Sequence, residues 1–437
     1  MQRHRMSTSG VVCFQKSARK GHLWAFFKTQ LLLLFLAILV AELVLHMFGG
    51  LALKRILAPP WERDAPVIAD EQMIARGNRL RLDADEKGYR NPTRPRVADV
   101  VALGDSQTFG PEDFRNSWPA LLSKRTGQSV YNMGLPEYGP LQYLLQLDEA
   151  LSFNPKLIIV APYFGNDFYD AFTLFRRHPA ELAKSMPPAL VNEALEMDHR
   201  RPIQGDIEAL SGLADDPLAD KPVTPFRRWL SVNSRIYALL RAIKNRIDPL
   251  PISPLLAPNL DTAATGLTPE KLRSISPFRG SDWKTILTAP YRNRVLTDTD
   301  ARIRLGFELS VYAVDQIAKR CRAAGTDLLV VLLPTKENVF FPRVALPDSY
   351  RELEALAANE DRLKREWIAD LTRQGISYID VLDPLRRAVR QPYPENLDGH
   401  PNPEGYAIIA REIATKIALS KHEPTSLHTS SVFGSEP

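Results

Sequence analysis

Apolar positions along this chain fall into three patterns: one long unbroken run near the N-terminus, several short continuous runs, and amphipathic stretches between the short runs. Leu31 to Ala41 contains no polar residue. Extension through Leu43-Val44-Leu45 to Phe48 gives about 18 residues, ~27 Å as a helix, close to the hydrocarbon thickness that a spanning segment must match. Val100 to Gly104, Leu157 to Ala161 and Leu328 to Leu333 are short runs without alternation, which marks strands covered on both faces. Weaker strand signals lie at Ser129 to Asn132 and Ile376 to Val381. Helical spacing occupies Trp118 to Gly127, Pro140 to about Leu151, Leu305 to Ala324, residues 347 to 374, and Pro403 to Leu419. Strand and helix in alternation predict a parallel sheet with helices on both faces, an α/β domain opening at about Arg96.

After Asp170 the alternation stops for roughly 130 residues, too long for a plain loop in a compact domain. The stretch is rich in proline and contains one credible helix, Pro225 to Ile247. There Phe226, Trp229, Leu230, Ile236, Tyr237, Leu240 and Ile243 make an apolar stripe against Arg227, Arg228, Arg235, Arg241 and Lys244. Packing on the core with partial lid function ranks first for this helix, and contact of its basic face with anionic lipid headgroups last.

The flanks of the long apolar run set its orientation. Arg3, Arg5, Lys16, Arg19, Lys20 and Lys28 precede it, whereas only Lys54, Arg55 and Arg63 follow closely. The excess of positive charge places the N-terminus in the cytoplasm and the rest of the chain outside. No small-x-small site ends the run, which favours an uncleaved anchor over a removed signal peptide. Glu42 and His46 fall one helical turn apart within the span, in its outer third, where they can face the interface or a partner helix. The expected organisation is a basic cytoplasmic segment over 1–28, a membrane helix over 29–48, and a juxtamembrane connector over 49–95. An α/β domain over 96–420 with an insertion at 171–300 follows, then a disordered polar tail over 421–437. The connector contains Gly88-Tyr89-Arg90-Asn91-Pro92, whose role the sequence leaves open.

Composition narrows the function classes. The 437 residues are 44% hydrophobic and 24% charged with a formal net charge of +5, which is ordinary globular composition. The basic residues form no stripe interleaved with aromatics, so nucleic-acid binding is not indicated. The two cysteines, Cys13 and Cys321, fall on opposite sides of the expected membrane. No Cys/His spacing suits a metal, and neither a metal nor a cofactor is expected.

The chemistry centres on Gly104-Asp105-Ser106, where a buried strand turns abruptly toward a helix N-terminus. A serine hydroxyl is a weak nucleophile unless a base reaches it and backbone N–H groups hold the developing oxyanion. A strand end running into a helix N-terminus offers such a place. Three later segments supply further parts. Tyr131-Asn132-Met133-Gly134 offers a glycine N–H. Pro162-Tyr163-Phe164-Gly165-Asn166-Asp167 offers a side-chain amide. Asp398-Gly399-His400 offers a carboxylate and an imidazole on one loop.

In these four blocks the chain resembles the SGNH (GDSL-type) hydrolases, which contribute Ser, Gly, Asn and His in this order. The resemblance implies a three-layer α/β/α, flavodoxin-like parallel sheet. It implies Ser106 as nucleophile, and Ser106 N–H, Gly134 N–H and the Asn166 side chain as oxyanion hole. His400 would be the general base and Asp398 its orienting carboxylate. The commoner family pattern places Asp three residues before His, where this chain has Leu397, and Glu395 is the fallback acid. Some relatives that acetylate envelope polysaccharides use an Asp-x-His arrangement.

Asp105 and Asp167 read as local turn and loop stabilisers. Lys336 and Glu337 lie just past the strand that ends at Leu333 and are either neighbours supporting the site or a solvated ion pair. Of the eight histidines, only His178, His199 and His400 fall where they could serve the site, and only His400 has an adjacent carboxylate. These features together imply a single-pass membrane protein with an extracytoplasmic serine esterase domain. It would hydrolyse or transfer acyl groups, acetyl foremost, on envelope or exported polysaccharide. A lipid or small-acyl-ester hydrolase, and a non-catalytic carbohydrate-binding or assembly protein that keeps the fold, are the alternatives.

Overall fold

The computed structural model describes residues 9–48, 50, 55, 58, 63–178, 182–200, 229–230, 233–247, 275–344 and 351–422. The expected tail beyond 422 and the start of the helix expected from Pro225 lie outside these residues. The described chain forms two compact units, one from residues within 1–64 and 222–250 and the other from residues within 65–221 and 251–437.

In the first unit, helix α1 (Ser9–Phe48) carries the apolar run, and its segment Phe26–Met47 is long and apolar enough to cross a membrane, a property that signal sequences share. Two further hairpin strands, β1 (Val67–Asp70) and β2 (Ile74–Gly77), pair antiparallel at the start of the second unit. The sheet then runs β3 (Val100–Gly104), α2 (Ser106–Phe109), α3 (Trp118–Thr126), β4 (Val130–Asn132), α4 (Pro140–Leu151), β5 (Leu157–Ala161) and α5 (Asp167–Arg177). Helix α6 (Pro188–Arg200) follows in this unit, and α7 (Arg235–Ile247) belongs to the first one. The second unit resumes with the antiparallel pair β6 (Ser276–Arg279) and β7 (Lys284–Leu287), then α8 (Ala289–Arg294) and α9 (Ala301–Ala324). It closes with β8 (Asp327–Leu332), α10 (Lys336–Phe340), α11 (Arg351–Arg373), β9 (Ser377–Asp380), α12 (Leu382–Arg386) and α13 (Pro403–His422).

The central sheet has the order β4-β3-β5-β8-β9 with every neighbouring pair parallel. Renumbered within the sheet this is 2-1-3-4-5, the flavodoxin-like order, and its direction reverses at β3. All five residues of β3 are buried, as an apolar strand covered on both faces requires. Helix α9 lies close against α5 because Gly306 has no side chain: a Cβ there would come within 2.7 Å of the Phe168 carbonyl carbon. Asp300 caps its N-terminus by accepting from Arg302 N–H at 3.0 Å, and Gly325 ends it in the left-handed conformation, φ 67°. Under this packing Phe164, Phe168, Phe307 and Trp367 form one aromatic cluster, with edge-on rings 5.2 to 6.0 Å apart between centroids.

Residues 65–95, expected as connector, are built into this domain. Arg90 is buried and pairs with Asp83 at 2.7 Å. Its guanidinium also donates to the carbonyls of Gly110, Pro111 and Glu112 at 3.0, 2.5 and 2.5 Å. Asn91 exchanges two hydrogen bonds with the Asn132 backbone, at 2.8 and 2.9 Å. The Gly88–Pro92 segment therefore clamps the chain after Ser106 and the end of β4.

Candidate active site

Ser106 stands directly beyond the carboxyl end of β3, at the point where the sheet order reverses. Crevices that bind ligands form at such places because the loops on either side run in opposite directions. Asp105 fixes the turn: its carboxylate accepts from Gln107 N–H at 2.9 Å and caps α2. Ser106 is the first residue of α2, so its N–H has no acceptor within the helix.

His400 reaches this serine from the loop before α13. Its Nε2 lies 2.8 Å from Ser106 Oγ, and its Nδ1 lies 2.6 Å from Asp398 Oδ1. The same carboxylate oxygen accepts the His400 backbone N–H at 3.0 Å, so one carboxylate sets both the ring and its backbone. Asp398 thus sits where the shifted spacing expects an orienting acid. Glu395 pairs instead with Lys284 at 3.0 Å. Burial works to lower the His400 pKa, but the Asp398 charge and hydrogen bond outweigh it and raise the imidazole above its ordinary value. Burial likewise works to raise Asp398, yet the imidazole holds its carboxyl down at about 2. With 36% and 43% of the two side chains exposed, solvent screens part of this coupling.

The serine hydroxyl has a second neighbour, Asp105 Oδ2 at 3.3 Å. It carries one proton, and the shorter contact to His400 is the one it makes when the imidazole is neutral. Burial pushes the Asp105 carboxyl up to about 6.

The expected oxyanion donors are placed less simply. Gly134 presses on α2 so closely that a Cβ would come within 2.7 Å of Phe109 N, which leaves no room for any other residue. Its N–H donates to Asn132 Oδ1 at 2.9 Å, so a substrate oxygen would share that donor. Asn166 is the residue before α5, just past β5, and its side chain makes no capping bond; its amide donates to Asp170 Oδ2 at 2.5 Å, leaving its second amide hydrogen. Burial pushes Asp170 up to about 7. Asp167 is buried and accepts from Tyr163 N–H at 3.0 Å and the Tyr143 hydroxyl at 2.8 Å, a support for the loop that carries Asn166.

Lys336 and Glu337 are both buried, which excludes the solvated pair. Lys336 Nζ donates to the carbonyls of Ile286, Asn396 and Asp398 at 2.8, 3.1 and 3.0 Å, tying the histidine loop to β7. Burial brings this ammonium down to about 8. Glu337 holds α8 by accepting from the N–H and hydroxyl of Thr288 at 2.9 and 3.0 Å. From α8, Arg292 donates to the Gly165 carbonyl at 3.0 Å, and its other terminal nitrogen lies where a Cβ on Gly399 would be 2.7 Å away. It links the Asn166 loop to the His400 loop. His178 bonds the Gln72 carbonyl at 3.2 Å, outside the serine's surroundings. A cavity of about 680 Å³ lined by Leu157, Cys321, Asp327 and Ile376 opens at the strands' amino ends and contains none of these residues.

No protein-family model and no curated protein matches the sequence. Similar solved structures include a G-D-S-L family protein from Desulfitobacterium hafniense, 13% identical, with 72% of this chain and 98% of that chain covered and a TM-score of 0.33. A GDSL-like lipase from Bacteroides thetaiotaomicron is 11% identical, covering 74% and 88%, with a TM-score of 0.32. A carbohydrate acetylesterase from Sinorhizobium meliloti is 12% identical, covering 74% and 98%, with a TM-score of 0.30. By its own sheet order the second unit is a flavodoxin-like α/β domain, and the blocks carrying Ser106, Asp398 and His400, through which the sequence resembles the SGNH (GDSL-type) hydrolases, meet at the end of β3.

Proposed function

We propose that this chain is a serine esterase of SGNH type, anchored in a membrane by α1 with its catalytic domain on the extracytoplasmic side. Its substrates would be acyl esters, acetyl esters foremost, on envelope or exported polysaccharide. The observation that carries the reading is the unbroken hydrogen-bond chain from Ser106 Oγ through His400 to Asp398 at the sheet's carboxyl edge.

In this reading His400 Nε2 takes the Ser106 proton as Oγ attacks the ester carbonyl carbon. Asp398 keeps the proton of the neutral ring on Nδ1 and stabilises the imidazolium that forms. The tetrahedral oxyanion accepts from Ser106 N–H, from the free amide hydrogen of Asn166, and from Gly134 N–H shared with Asn132. Collapse breaks the ester C–O bond, and the leaving alcohol receives the proton from His400. Water, or a sugar hydroxyl, then attacks the acyl-serine with His400 again as base, which restores Ser106 and releases acid or a new ester.

The sugar-ester assignment is supported by the expected topology, which sets the domain where envelope polysaccharide is met, and by the Asp-x-His spacing. The test is a substrate comparison with purified full-length protein: p-nitrophenyl acetate, p-nitrophenyl palmitate, and an O-acetylated polysaccharide followed by acetate release. Acetate from the polysaccharide and a strong preference for acetyl over palmitoyl ester are expected. A preference for the palmitoyl ester would overturn the substrate class and leave the triad chemistry standing.

A further inference from the structure

We propose that helix α7, which lies within the large insertion, is a second membrane element, docked to α1 through Glu42 and presenting its apolar face to the acyl chains of the bilayer. The inference rests on the reading of α1 as the anchor.

Glu42 stands inside the apolar segment Phe26–Met47, five residues from its end, or about 7–8 Å along a helix axis. A carboxylate at that depth is costly unless donors surround it. Glu42 has them: Ser234 Oγ donates to Oε2 at 3.1 Å, Ile236 N–H donates to Oε2 at 3.0 Å, and Arg235 N–H donates to Oε1. These are the hydroxyl before α7 and the first N–H groups of that helix. First-turn N–H groups have no partner within their own helix, and in hydrocarbon they cannot turn to water. The carboxylate also favours the positive end of the helix dipole. Each partner therefore removes the cost of placing the other in an apolar medium. In water neither would need the other, because solvent satisfies both.

The rest of α7 agrees with this placement. Leu239, Leu240 and Ile243 recur at helical spacing and are exposed, as are Leu36, Leu39 and Leu43 of α1. Along the described part of the apolar segment, only Glu42 and Leu45 are partly covered. Lys244 stands exposed beside the apolar stripe, where a long cationic side chain can reach the interface. Exposed apolar side chains on both helices, one of them long and apolar enough to cross a membrane, select lipid as the occupant over a protein partner. The insertion would thereby return the chain to the membrane.

The test uses full-length protein carrying Cys13→Ser, reconstituted in phosphatidylcholine vesicles with or without brominated acyl chains. An environment-sensitive fluorophore is attached at Leu240→Cys, and separately at Leu36→Cys as a marker of the anchor. Both probes should be quenched by the brominated lipid and shielded from aqueous iodide. Glu42→Ala should reduce the bromolipid quenching at position 240 at least threefold, leave that at position 36 unchanged, and be partly rescued by Glu42→Gln, which keeps an acceptor oxygen. A probe at 240 quenched by iodide while the probe at 36 is quenched by bromolipid would overturn the inference. So would a probe at 240 shielded from both quenchers, which would mean a protein covers that face. Loss of lipid quenching at position 36 would overturn the anchor reading and this inference with it, and esterase turnover by the same preparation would leave the catalytic reading intact.

Discussion

Replacing Asp398 by Asn separates the shape of the catalytic loop from its charge. The carboxylate accepts two hydrogen bonds from His400, one from the ring and one from the backbone, and an amide oxygen can keep only part of that pattern. The amide can also turn its NH₂ toward Nδ1, which would select the wrong tautomer of the ring. Loss of a fully buried triad carboxylate costs about 10⁴ in turnover. Here the two side chains are 36% and 43% exposed, so water replaces part of the interaction. A loss on the order of 10²–10³ in kcat is therefore expected, about 3–4 kcal/mol of transition-state stabilisation. The pH profile gives an independent sign. His400 acts as a base only when neutral, so activity is gained as pH rises through its pKa. With the imidazole raised above its ordinary value by Asp398, the acid limb of the native protein is expected above the pH at which a free imidazole titrates. Without the carboxylate charge the limb should move to lower pH while the plateau falls. Stopped-flow or plate-reader kinetics with p-nitrophenyl acetate over pH 5 to 9 read both quantities, and Glu395→Gln, which removes only the pair with Lys284, should stay within about twofold of native. A native plateau in Asp398→Asn, or an acid limb displaced upward, would refute the reasoning.

Other expectations follow from the supporting residues. Asn166→Ala should lower kcat by about 10²–10³ with little change in KM, since an oxyanion donor acts mainly in the transition state. Asp170→Ala should give a smaller loss of the same kind, because it frees the amide it holds without removing it. Arg90→Ala strips a buried partner from Asp83 and from the carbonyls of Gly110, Pro111 and Glu112, and should cost about 3–5 kcal/mol, measured by urea unfolding. The protonated Lys336 fills three carbonyls with three hydrogens, whereas the neutral amine has two. Activity should therefore fall as pH rises through about 8, and Lys336→Met should lose that basic limb together with part of the plateau.

Much of the α/β domain is legible in the sequence because it rests on short-range patterns. Val100 to Gly104, Leu157 to Ala161 and the run at 328–333 are continuous apolar stretches, and burial on both faces is the state that such stretches require. His400 stood out through its neighbour Asp398, two residues away. What escaped depends on partners far along the chain. The role of Arg90 in the expected connector stays open in the sequence because its acceptors are carbonyls about twenty residues later. Lys336 reads either as a support of the site or as half of a solvated pair, and only the fold, which brings three carbonyls around it, decides between them. Arg292 lies in the insertion, with nothing local to link it to Gly165 and Gly399. Glu42 was visible as an acid within the apolar run, but its partners lie 192 to 194 residues away. For the helix expected from Pro225 the apolar stripe favours core packing with partial lid function, and its described part, α7, meets α1 through Glu42.

Labelling with a fluorophosphonate tests the activated serine most directly. Full-length native protein should label covalently at Ser106, with labelling abolished in Ser106→Ala and reduced at least a hundredfold in His400→Ala. A folded native protein that fails both to label and to hydrolyse p-nitrophenyl acetate, a substrate small enough to enter a narrow crevice, would contradict the assignment of Ser106, His400 and Asp398 as a catalytic triad.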